Sequence, residues 1–320
     1  MMDNNIVKLM PACKDYLWGG SKLKTAYGKD FAGDILAEAW ELSCHPEGPG
    51  IIAGGPDAGM TLPDYIAKHG RGILGRNCAR FEDFPVLVKL IDARQDLSVQ
   101  VHPDDAYALR HENSYGKTEM WYVADCLPGA SIYYGFAGEV SRKQVEDAIG
   151  NGSLQSLLRR VPVKRGDAFF IEAGTVHAIG AGIIIAEIQQ NSNLTYRVYD
   201  YGRKDSDGRP RKLHIGKALE VMRFGPSDIS RDFGGHIAAC DYFAADKLSV
   251  TGGHECFADE KSFHHLLVLE GGGEIVSGGQ RLSFRKGDSL FVRAGTGSYQ
   301  ITGDCEMLLT TIPNLYTRLN

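Results

Sequence analysis

The stretch at residues 164–175, KRGDAFFIEAGT, decides the fold, because residues 285–296 repeat its pattern as RKGDSLFVRAGT. Each copy contains a Gly-Asp turn, a short apolar strand and a second glycine-containing turn. A repeated unit of this kind predicts two related β-barrels within one chain. We therefore predict a first domain at residues 1–239 and a smaller second domain at residues 240–320.

The two copies differ at one position that matters for chemistry. His177 follows the second turn of the first copy, whereas Ser298 takes the equivalent position in the second copy. Only the first copy therefore keeps a side chain that commonly binds metal ions. We predict that the second barrel is structural and holds no metal.

Composition and charge narrow the class of protein. The chain has 320 residues, of which 43% are hydrophobic and 23% are charged, as is usual for a globular protein with a buried core. Its net charge of −5 argues against a general nucleic-acid binder. We expect no signal peptide and no membrane span. The seven cysteines are scattered and never form a CxxC motif, which predicts reduced thiols and a cytoplasmic protein.

Short apolar runs separated by glycines predict a β-rich chain with a few short helices. Three helices are predicted at residues 62–69, 142–149 and 217–223, with Thr61 as an N-cap and Ser141 with Gln144 as a capping box. The fold is therefore expected to be all-β, with short helical insertions. The strongest strand predictions are residues 86–91, 98–102, 119–124, 130–134, 168–171, 183–189, 264–269, 273–276, 289–292 and 307–312.

Residues of the first domain have the side chains of a metal site. Strand alternation places Gln100 and His102 on one face, Glu119 begins another apolar strand, and His177 follows a turn. Two imidazoles and a carboxylate suit Zn²⁺, and they also accept Mn²⁺, Fe²⁺ or Co²⁺. An alternative stays open for His102, because Pro-Asp-Asp follows it and a turn-stabilising role is available there. We predict one divalent metal with an open coordination position.

Four motifs occur in order along the chain: QVHPDD at residues 100–105, GKTEMWY at 116–122, AGTVHA at 173–178 and NLTYRVYD at 193–200. Two further motifs precede them, YLWGG at residues 16–20 and AEAWELS at residues 37–43. Together these motifs resemble the short bacterial form of the type I mannose-6-phosphate isomerases, which belong to the cupin superfamily. The resemblance covers most of the chain to about Phe224.

The resemblance implies a double cupin fold and a zinc-dependent aldose–ketose isomerase. Enzymes of this family interconvert mannose 6-phosphate and fructose 6-phosphate by proton transfer through an enediol. The resemblance also implies His102, Glu119 and His177 as metal ligands. Gln100 is implied as a fourth ligand or as a residue that supports the other three. Arg197 matches the family's catalytic arginine, and Lys117 matches the lysine two residues before the ligand glutamate.

Isomerisation requires a group that moves a carbon-bound proton and cations that bind the phosphate. Glu187 is the predicted base, with an ion-paired interior carboxylate as its alternative role. Glu38 is a second candidate for the base. Lys117, Arg197 and Arg203 are the predicted substrate-binding cations, although a solvated loop charge is the alternative for Arg203.

Two other interpretations of the cupin pattern stay open. Cupins with two histidines and a glutamate also act as iron- or manganese-dependent oxygenases, which consume O₂. Other cupins bind sugars without catalysis, and no helix-turn-helix pattern or basic stretch favours a DNA-linked version here. We expect a small sugar phosphate as the partner, without nucleic acid or membrane, and the sequence leaves the oligomeric state open.

Overall fold

The structure, a computed structural model that describes residues 5–204 and 208–314, is built mainly of strands. The described strands form three sheets of nine, six and five strands, which confirms the all-β prediction. Hydrogen bonding closes none of these three described sheets into a barrel. The six- and five-stranded sheets instead share one apolar core, which includes Trp121 from the first and Tyr134 from the second.

Strand bounds follow the predicted apolar runs closely in the first half of the chain. The strands are β1 (Ile6–Met10), β2 (Ala12–Lys14), β3 (Glu38–Leu42), β4 (Ile51–Ile52), β5 (Val86–Ala93), β6 (Val99–Val101), β7 (Glu119–Cys126), β8 (Ser131–Phe136), β9 (Leu158–Pro162), β10 (Ala168–Ile171), β11 (His177–Ile179), β12 (Ile183–Gln190), β13 (Tyr196–Tyr199), β14 (Ala238–Ala239), β15 (Ala244–Val250), β16 (Gly253–Ala258), β17 (His264–Ser277), β18 (Gln280–Arg285), β19 (Ser289–Val292) and β20 (Gly297–Thr311).

Two sheets build the first half of the molecule. The six-stranded sheet has the order β10-β7-β12-β5-β3-β2, and the five-stranded sheet has the order β13-β6-β11-β8-β9. All their strand pairs are antiparallel. The central strands β5 and β12 are buried along their whole length, because they have covered faces on both sides.

The nine-stranded sheet contains all seven described strands from β14 to β20 and two from the N-terminal end. Its main order is β14-β15-β20-β17-β19-β1-β4, with β16 beside β20 and β18 beside β17. Ile6 of β1 lies opposite Val292 of β19, so the first described strand extends the C-terminal sheet, with β4 beyond it at the edge. The division of the chain at residue 239 stays a prediction.

The repeated sequence units form the same turn twice. The carboxylates of Asp167 and Asp288 each accept a hydrogen bond from the backbone N–H three residues earlier, at 2.9 and 2.8 Å. Gly166 and Gly287 have φ values of 92° and 88°, a region that glycine enters without the steric cost of a side chain. The identical turns explain why the Gly-Asp pair recurs in the sequence.

Two of the helices match their sequence signals. The helices are α1 (Lys22–Thr25), α2 (Leu62–His69), α3 (Asp105–Glu112), α4 (Arg142–Gly150) and α5 (Ile215–Val221), with short 3₁₀ turns at Arg71–Leu74, Arg76–Arg80 and Leu154–Leu157. Thr61 caps α2, and Ser141 with Gln144 forms the predicted capping box of α4. Within the described ranges, no helix is long and apolar enough to cross a membrane.

Helix α3 was not predicted, because its first residues look like a turn. Asp104 accepts a hydrogen bond from the backbone N–H of Tyr107 and thereby caps the helix. The Pro-Asp-Asp segment after His102 is therefore a helix start. Helix α5 begins and ends two residues earlier than predicted.

Candidate metal centre and active site

Strand register in the five-stranded sheet aligns three of the predicted site residues. Arg197 in β13 lies opposite Gln100 in β6, and Gln100 lies opposite His177 in β11. Residues directly opposite one another on neighbouring strands project to the same face. His102 follows Gln100 by two positions, and its side chain meets that of His177, with 4.8 Å between the ring centroids.

The six-stranded sheet supplies the acidic residues in the same way. Glu187 in β12 lies between Lys89 in β5 and Trp121 in β7. Two residues further along β12, Gln189 lies opposite Glu119. Both glutamates therefore project from one face of this sheet.

The two sheets bring His102, Glu119 and His177 together. One ligand atom from each of the three lies within 4.8 Å of the others. His177 Nε2 is 3.4 Å from Glu119 Oε1, and His102 Nε2 is 3.7 Å from Glu119 Oε2. The exposed fractions of the three residues are 1%, 0% and 0%.

Hydrogen bonds to the backbone fix which nitrogen of each imidazole faces the cluster. Nδ1 of His102 donates to the carbonyl of Leu194, and Nδ1 of His177 donates to the carbonyl of Thr175, both at 2.8 Å. Each Nε2 then carries a lone pair, as a metal ligand requires. Burial lowers the pKa of both imidazoles, to about 4 for His177.

The donor atoms of this cluster fit a divalent metal. Nε2 of His102 and Oε1 of Glu119 are buried, and neither has a hydrogen-bond partner in the described structure. A buried polar atom without a hydrogen-bond partner lowers folding stability unless another group, such as a bound ion, contacts it. A cation between the three side chains would contact both atoms, so the residues fit such an ion. The side-chain amide nitrogen of Gln100 lies 3.4 Å from His177 Nε2 and therefore borders the space between the three ligands.

Two lysines and an indole hold Glu187 beside the metal cluster. Its Oε1 lies 3.4 Å from Lys89 Nζ and 3.6 Å from Lys117 Nζ, and its Oε2 accepts a hydrogen bond of 2.9 Å from Trp121 Nε1. Burial alone raises the pKa of Glu187. The charges of Lys117 and Lys89 and the indole hydrogen bond outweigh burial, so the pKa lies below its ordinary value and the carboxyl group is ionised.

Lys117 connects Glu187 to the metal cluster. Its Nζ lies 2.7 Å from Oε2 of Glu119 as well as 3.6 Å from Glu187. Burial and then the charge of Glu187 raise the pKa of Glu119, because two carboxylates share this enclosed space. The site thus places alternating charges within a few ångströms of one another.

Lys89 was missed by the sequence analysis. Its ammonium lies 3.6 Å from Glu38, and Glu38 in turn accepts a hydrogen bond of 2.7 Å from Trp40 Nε1. The ammonium also lies 5.1 Å from the centroid of the Trp40 ring. A signal was available, since a lone lysine inside the apolar strand VLVKLIDA is rarely buried without a carboxylate partner.

A cleft of about 250 Å³ opens beside this cluster. Aromatic rings, two carboxylates and four cations form its walls. It is lined by Tyr16, Trp18, Glu38, Lys89, Ile91, Leu97, Ser98, Gln100, Lys117, Ile179, Glu187, Asn193, Thr195, Arg197, Arg211 and His214.

The three arginines near the cleft occupy different positions. Arg197 lines it, and its guanidinium donates to the hydroxyl of Ser98 at 3.3 Å and to the carbonyl of Lys212 at 3.1 Å. Arg203 does not line the cleft; it pairs with Asp200 and donates to a backbone carbonyl instead. Arg211 lines the cleft and was missed, because it lies in an irregular loop without periodicity.

Asp105 fixes the segment that carries Lys117. Its Oδ1 accepts hydrogen bonds from the backbone N–H of Gly116 at 2.7 Å and from Gln190 Nε2 at 2.9 Å. Its Oδ2 accepts a hydrogen bond from the hydroxyl of Tyr242. The backbone N–H of Lys117 itself donates to the carbonyl of Pro103 at 2.9 Å, beside the start of α3.

Comparison with known proteins places this site in a family. The model of the type I phosphomannose isomerase catalytic domain matches residues 6–122, and that of the mannose-6-phosphate isomerase cupin domain matches residues 235–312. Mannose-6-phosphate isomerase ManA of Bacillus subtilis (strain 168) is 38% identical over 94% of this chain and 96% of its own length. Mannose-6-phosphate isomerase of Streptococcus mutans is 38% identical over 91% of this chain and 93% of its own length.

A solved structure gives the same result. The crystal structure of mannose 6-phosphate isomerase from Bacillus subtilis superposes with a TM-score of 0.87 at 34% identity, covering 95% of this chain and 99% of the other. The family resemblance and the cupin fold expected from the four motifs are therefore confirmed. The chain belongs to the type I mannose-6-phosphate isomerase family.

Proposed function

We propose that this protein is a metal-dependent aldose–ketose isomerase that interconverts mannose 6-phosphate and fructose 6-phosphate. The observation that carries the proposal is the buried cluster of His102, Glu119 and His177, joined through Lys117 to Glu187 at the wall of a cleft. Membership of the isomerase family and the activity printed in the names of its relatives support the same reaction.

We assign the metal site to His102, Glu119 and His177, with Gln100 as the fourth residue. Two neutral imidazoles and a carboxylate in a buried site favour Zn²⁺ among the divalent ions that this donor set accepts. When bound, the ion supplies a Lewis acid that polarises a substrate oxygen and stabilises negative charge on it.

Glu187 is the proposed base for proton transfer. Its Oε1 faces the two lysines and has no hydrogen-bond partner in the described structure, whereas Trp121 holds its Oε2. The proton on C2 of the open-chain aldose passes to Oε1, and the electrons of that C–H bond form the C1–C2 double bond of an enediolate. Return of the proton to C1, with a hydroxyl proton moving from O2 to O1, gives the ketose.

The lysines stabilise the charge that this proton transfer creates. Lys117 is the cleft cation that contacts both Glu119 and Glu187, so it faces the region where an enediolate oxygen would develop. Lys89 keeps Glu187 ionised and oriented before the reaction, because it pairs with the same oxygen. Arg197 is the proposed contact for the phosphate or for a nearby hydroxyl, and Arg203 as a substrate contact stays a prediction.

We also propose the cytoplasm as the compartment of this protein. All seven cysteines are free thiols in the structure, and a reducing compartment maintains cysteines in that form. The proposed substrate is a small sugar phosphate.

The decisive experiment measures conversion of mannose 6-phosphate to fructose 6-phosphate by the purified protein. The protein is assayed as purified, after chelation, and after zinc is restored. His177→Ala and Glu187→Gln are measured beside it, with metal content determined for each. We expect chelation to abolish turnover, zinc to restore it, and His177→Ala to lose both metal and activity.

Metal content and O₂ consumption distinguish the isomerase from the alternative functions. Glu187→Gln should retain the metal and lose turnover, because it removes the base and leaves the ligands intact. A folded, zinc-loaded protein without turnover would contradict the proposal. Consumption of O₂ with bound iron or manganese would indicate an oxygenase instead.

A further inference from the structure

We propose that Arg211 is a specificity-determining residue that binds the substrate's phosphate together with Arg197, while Asp200 and Arg203 hold Arg211 in place. This inference rests on the proposed function, since it names the group that distinguishes a sugar phosphate from a free sugar at the same cleft.

The charges that line the cleft fall into two groups. Lys89 and Lys117 each lie within 3.6 Å of Glu187, so their charges are compensated inside the protein. Among the described residues that line the cleft, no carboxylate lies within ion-pair distance of Arg197 or Arg211. Arg211 shares Asp200 with Arg203, and this carboxylate is not among the lining residues, so the two arginines give the cleft wall an excess of positive charge.

The hydrogen bonds of Arg197 leave its charge unneutralised. Its two acceptors are the hydroxyl of Ser98 and the carbonyl of Lys212, and both are neutral groups. Burial and then the charge of Arg211 lower the pKa of Arg197, so the two guanidinium groups are close enough to repel each other. A phosphate dianion between them would relieve this repulsion and accept hydrogen bonds from both planar groups.

Asp200 holds Arg211 near the cleft and is shared with Arg203, so its single negative charge compensates only part of their positive charge. Arg203 pairs closely with Asp200 Oδ1 and donates to the carbonyl of Asp96 at 2.6 Å, so it is engaged by the scaffold. Nη1 of Arg211 lies 3.4 Å from the same oxygen, and its backbone N–H donates to the carbonyl of Arg203 at 3.4 Å. One carboxylate thus serves two guanidinium groups, and Arg211 has the longer contact.

The test compares Arg211→Gln with Lys212→Gln in the zinc-loaded protein. Lys212 is the neighbouring cation, but its side chain is exposed and does not line the cleft, so it controls for loss of charge in the same loop. KM and kcat are measured for mannose 6-phosphate, and the dissociation constant of inorganic phosphate is measured by calorimetry. Arg211→Lys is measured as a second variant, because it keeps the charge and removes the planar fork.

We expect Arg211→Gln to raise KM and the phosphate dissociation constant by about tenfold or more, with kcat within about twofold of the parent value. Lys212→Gln should leave all three values within about twofold, and Arg211→Lys should fall between the two. A KM and a phosphate dissociation constant that stay within about twofold of the parent values in Arg211→Gln, or that rise equally in both glutamine variants, would overturn the inference.

The same measurements distinguish failure of this inference from failure of the proposed isomerase function. If the parent protein shows no isomerase activity, calorimetry with inorganic phosphate still tests Arg211. Arg211-dependent phosphate binding would then support this inference while the isomerase assignment failed. Isomerase activity with phosphate binding that does not depend on Arg211 would overturn this inference and leave the proposed function intact.

Discussion

Nε2 of His177 lies 3.4 Å from Oε1 of Glu119, although the two residues belong to strands of different sheets. Neither sheet alone carries both a histidine and a carboxylate of the cluster. The proposed metal would therefore join the five-stranded sheet to the six-stranded sheet, so metal binding should contribute to folding stability as well as to chemistry.

Chelation should destabilise the parent protein and should not affect a variant that lacks a ligand. We expect Tm to fall on removal of the metal, by the equivalent of about 2.7 kcal/mol where metal is present at 100 times its dissociation constant. His177→Ala should show no further fall, since it binds no metal. Thermal unfolding with and without chelator measures both, with the exposed His254→Gln as the control. An equal chelator effect in His177→Ala would contradict the ligand assignment.

Glu187→Gln should separate catalysis from metal binding. The amide keeps the shape of the side chain but cannot accept the substrate proton, so kcat should fall by about 10²–10⁴. Metal content should stay at the parent value, because Glu187 is not one of the three ligands. Steady-state kinetics and metal analysis on the same preparation check this. A kcat within a few-fold of the parent value would return the role of base to Glu38.

Stability should rise with pH between about 3 and 6.5 because of His265. Burial, followed by the charge of Lys29, lowers the pKa of His265 from 6.5 to about 3 in the folded protein. The unfolded chain then binds more protons in this interval, so the stabilisation is complete above pH 6.5 and is lost as the pH falls. Its Nδ1 also has no hydrogen-bond partner in the described structure, so a charge there would be unsupported.

Urea unfolding at pH 6.5 and pH 5 measures this contribution. The parent protein should lose about 2 kcal/mol from this residue over that interval. His265→Gln should lose correspondingly less, whatever its absolute stability. His254→Gln should behave like the parent. The same pH dependence in all three proteins would refute the assignment.

Alanine should be tolerated unequally at the second glycines of the two repeat units. Gly174 and Gly295 have φ values of 88° and 76°, so either substitution carries a cost of about 1–2 kcal/mol. A Cβ at Gly174 would also lie 2.8 Å from the carbonyl oxygen of Val221, whereas at Gly295 the nearest atom is 3.8 Å away. We expect Gly174→Ala to have a clearly lower free energy of unfolding in urea than Gly295→Ala. Equal losses would show that backbone conformation alone matters.

The sequence predicted the all-β class from short apolar runs and the members of the metal cluster from ordered motifs. A continuous apolar run located β12, which contains Glu187, and the Gly-Asp repeat located the turns before β10 and β19. Helix α2 was predicted to the residue, because Thr61 is an N-cap that needs no tertiary contact to be recognised. These features depend on neighbours in the chain.

The features that the sequence did not reveal depend on tertiary contacts. Lys89 is explained only by Glu38 and Glu187, which reach it from other strands. Arg211 comes to the cleft through a loop held by Asp200, and no periodic pattern marks that loop. The pairing of β1 with β19 spans almost the whole chain and has no sequence signal at all.

The hydrogen bond from the hydroxyl of Tyr242 to Asp105 limits how far the protein can be shortened from its C-terminal side. Tyr242 lies beyond all the proposed metal ligands and cleft residues in the chain, yet it restrains Asp105, which fixes the segment that carries Lys117. A fragment that ended at residue 239 would keep every proposed metal ligand. It would lose the restraint from Tyr242 and also β19, the strand with which β1 pairs. We therefore expect such a fragment to contain all the ligands and yet to be a poor catalyst. Exchange of C-terminal halves between relatives should yield active hybrids only where a hydroxyl reaches the same carboxylate.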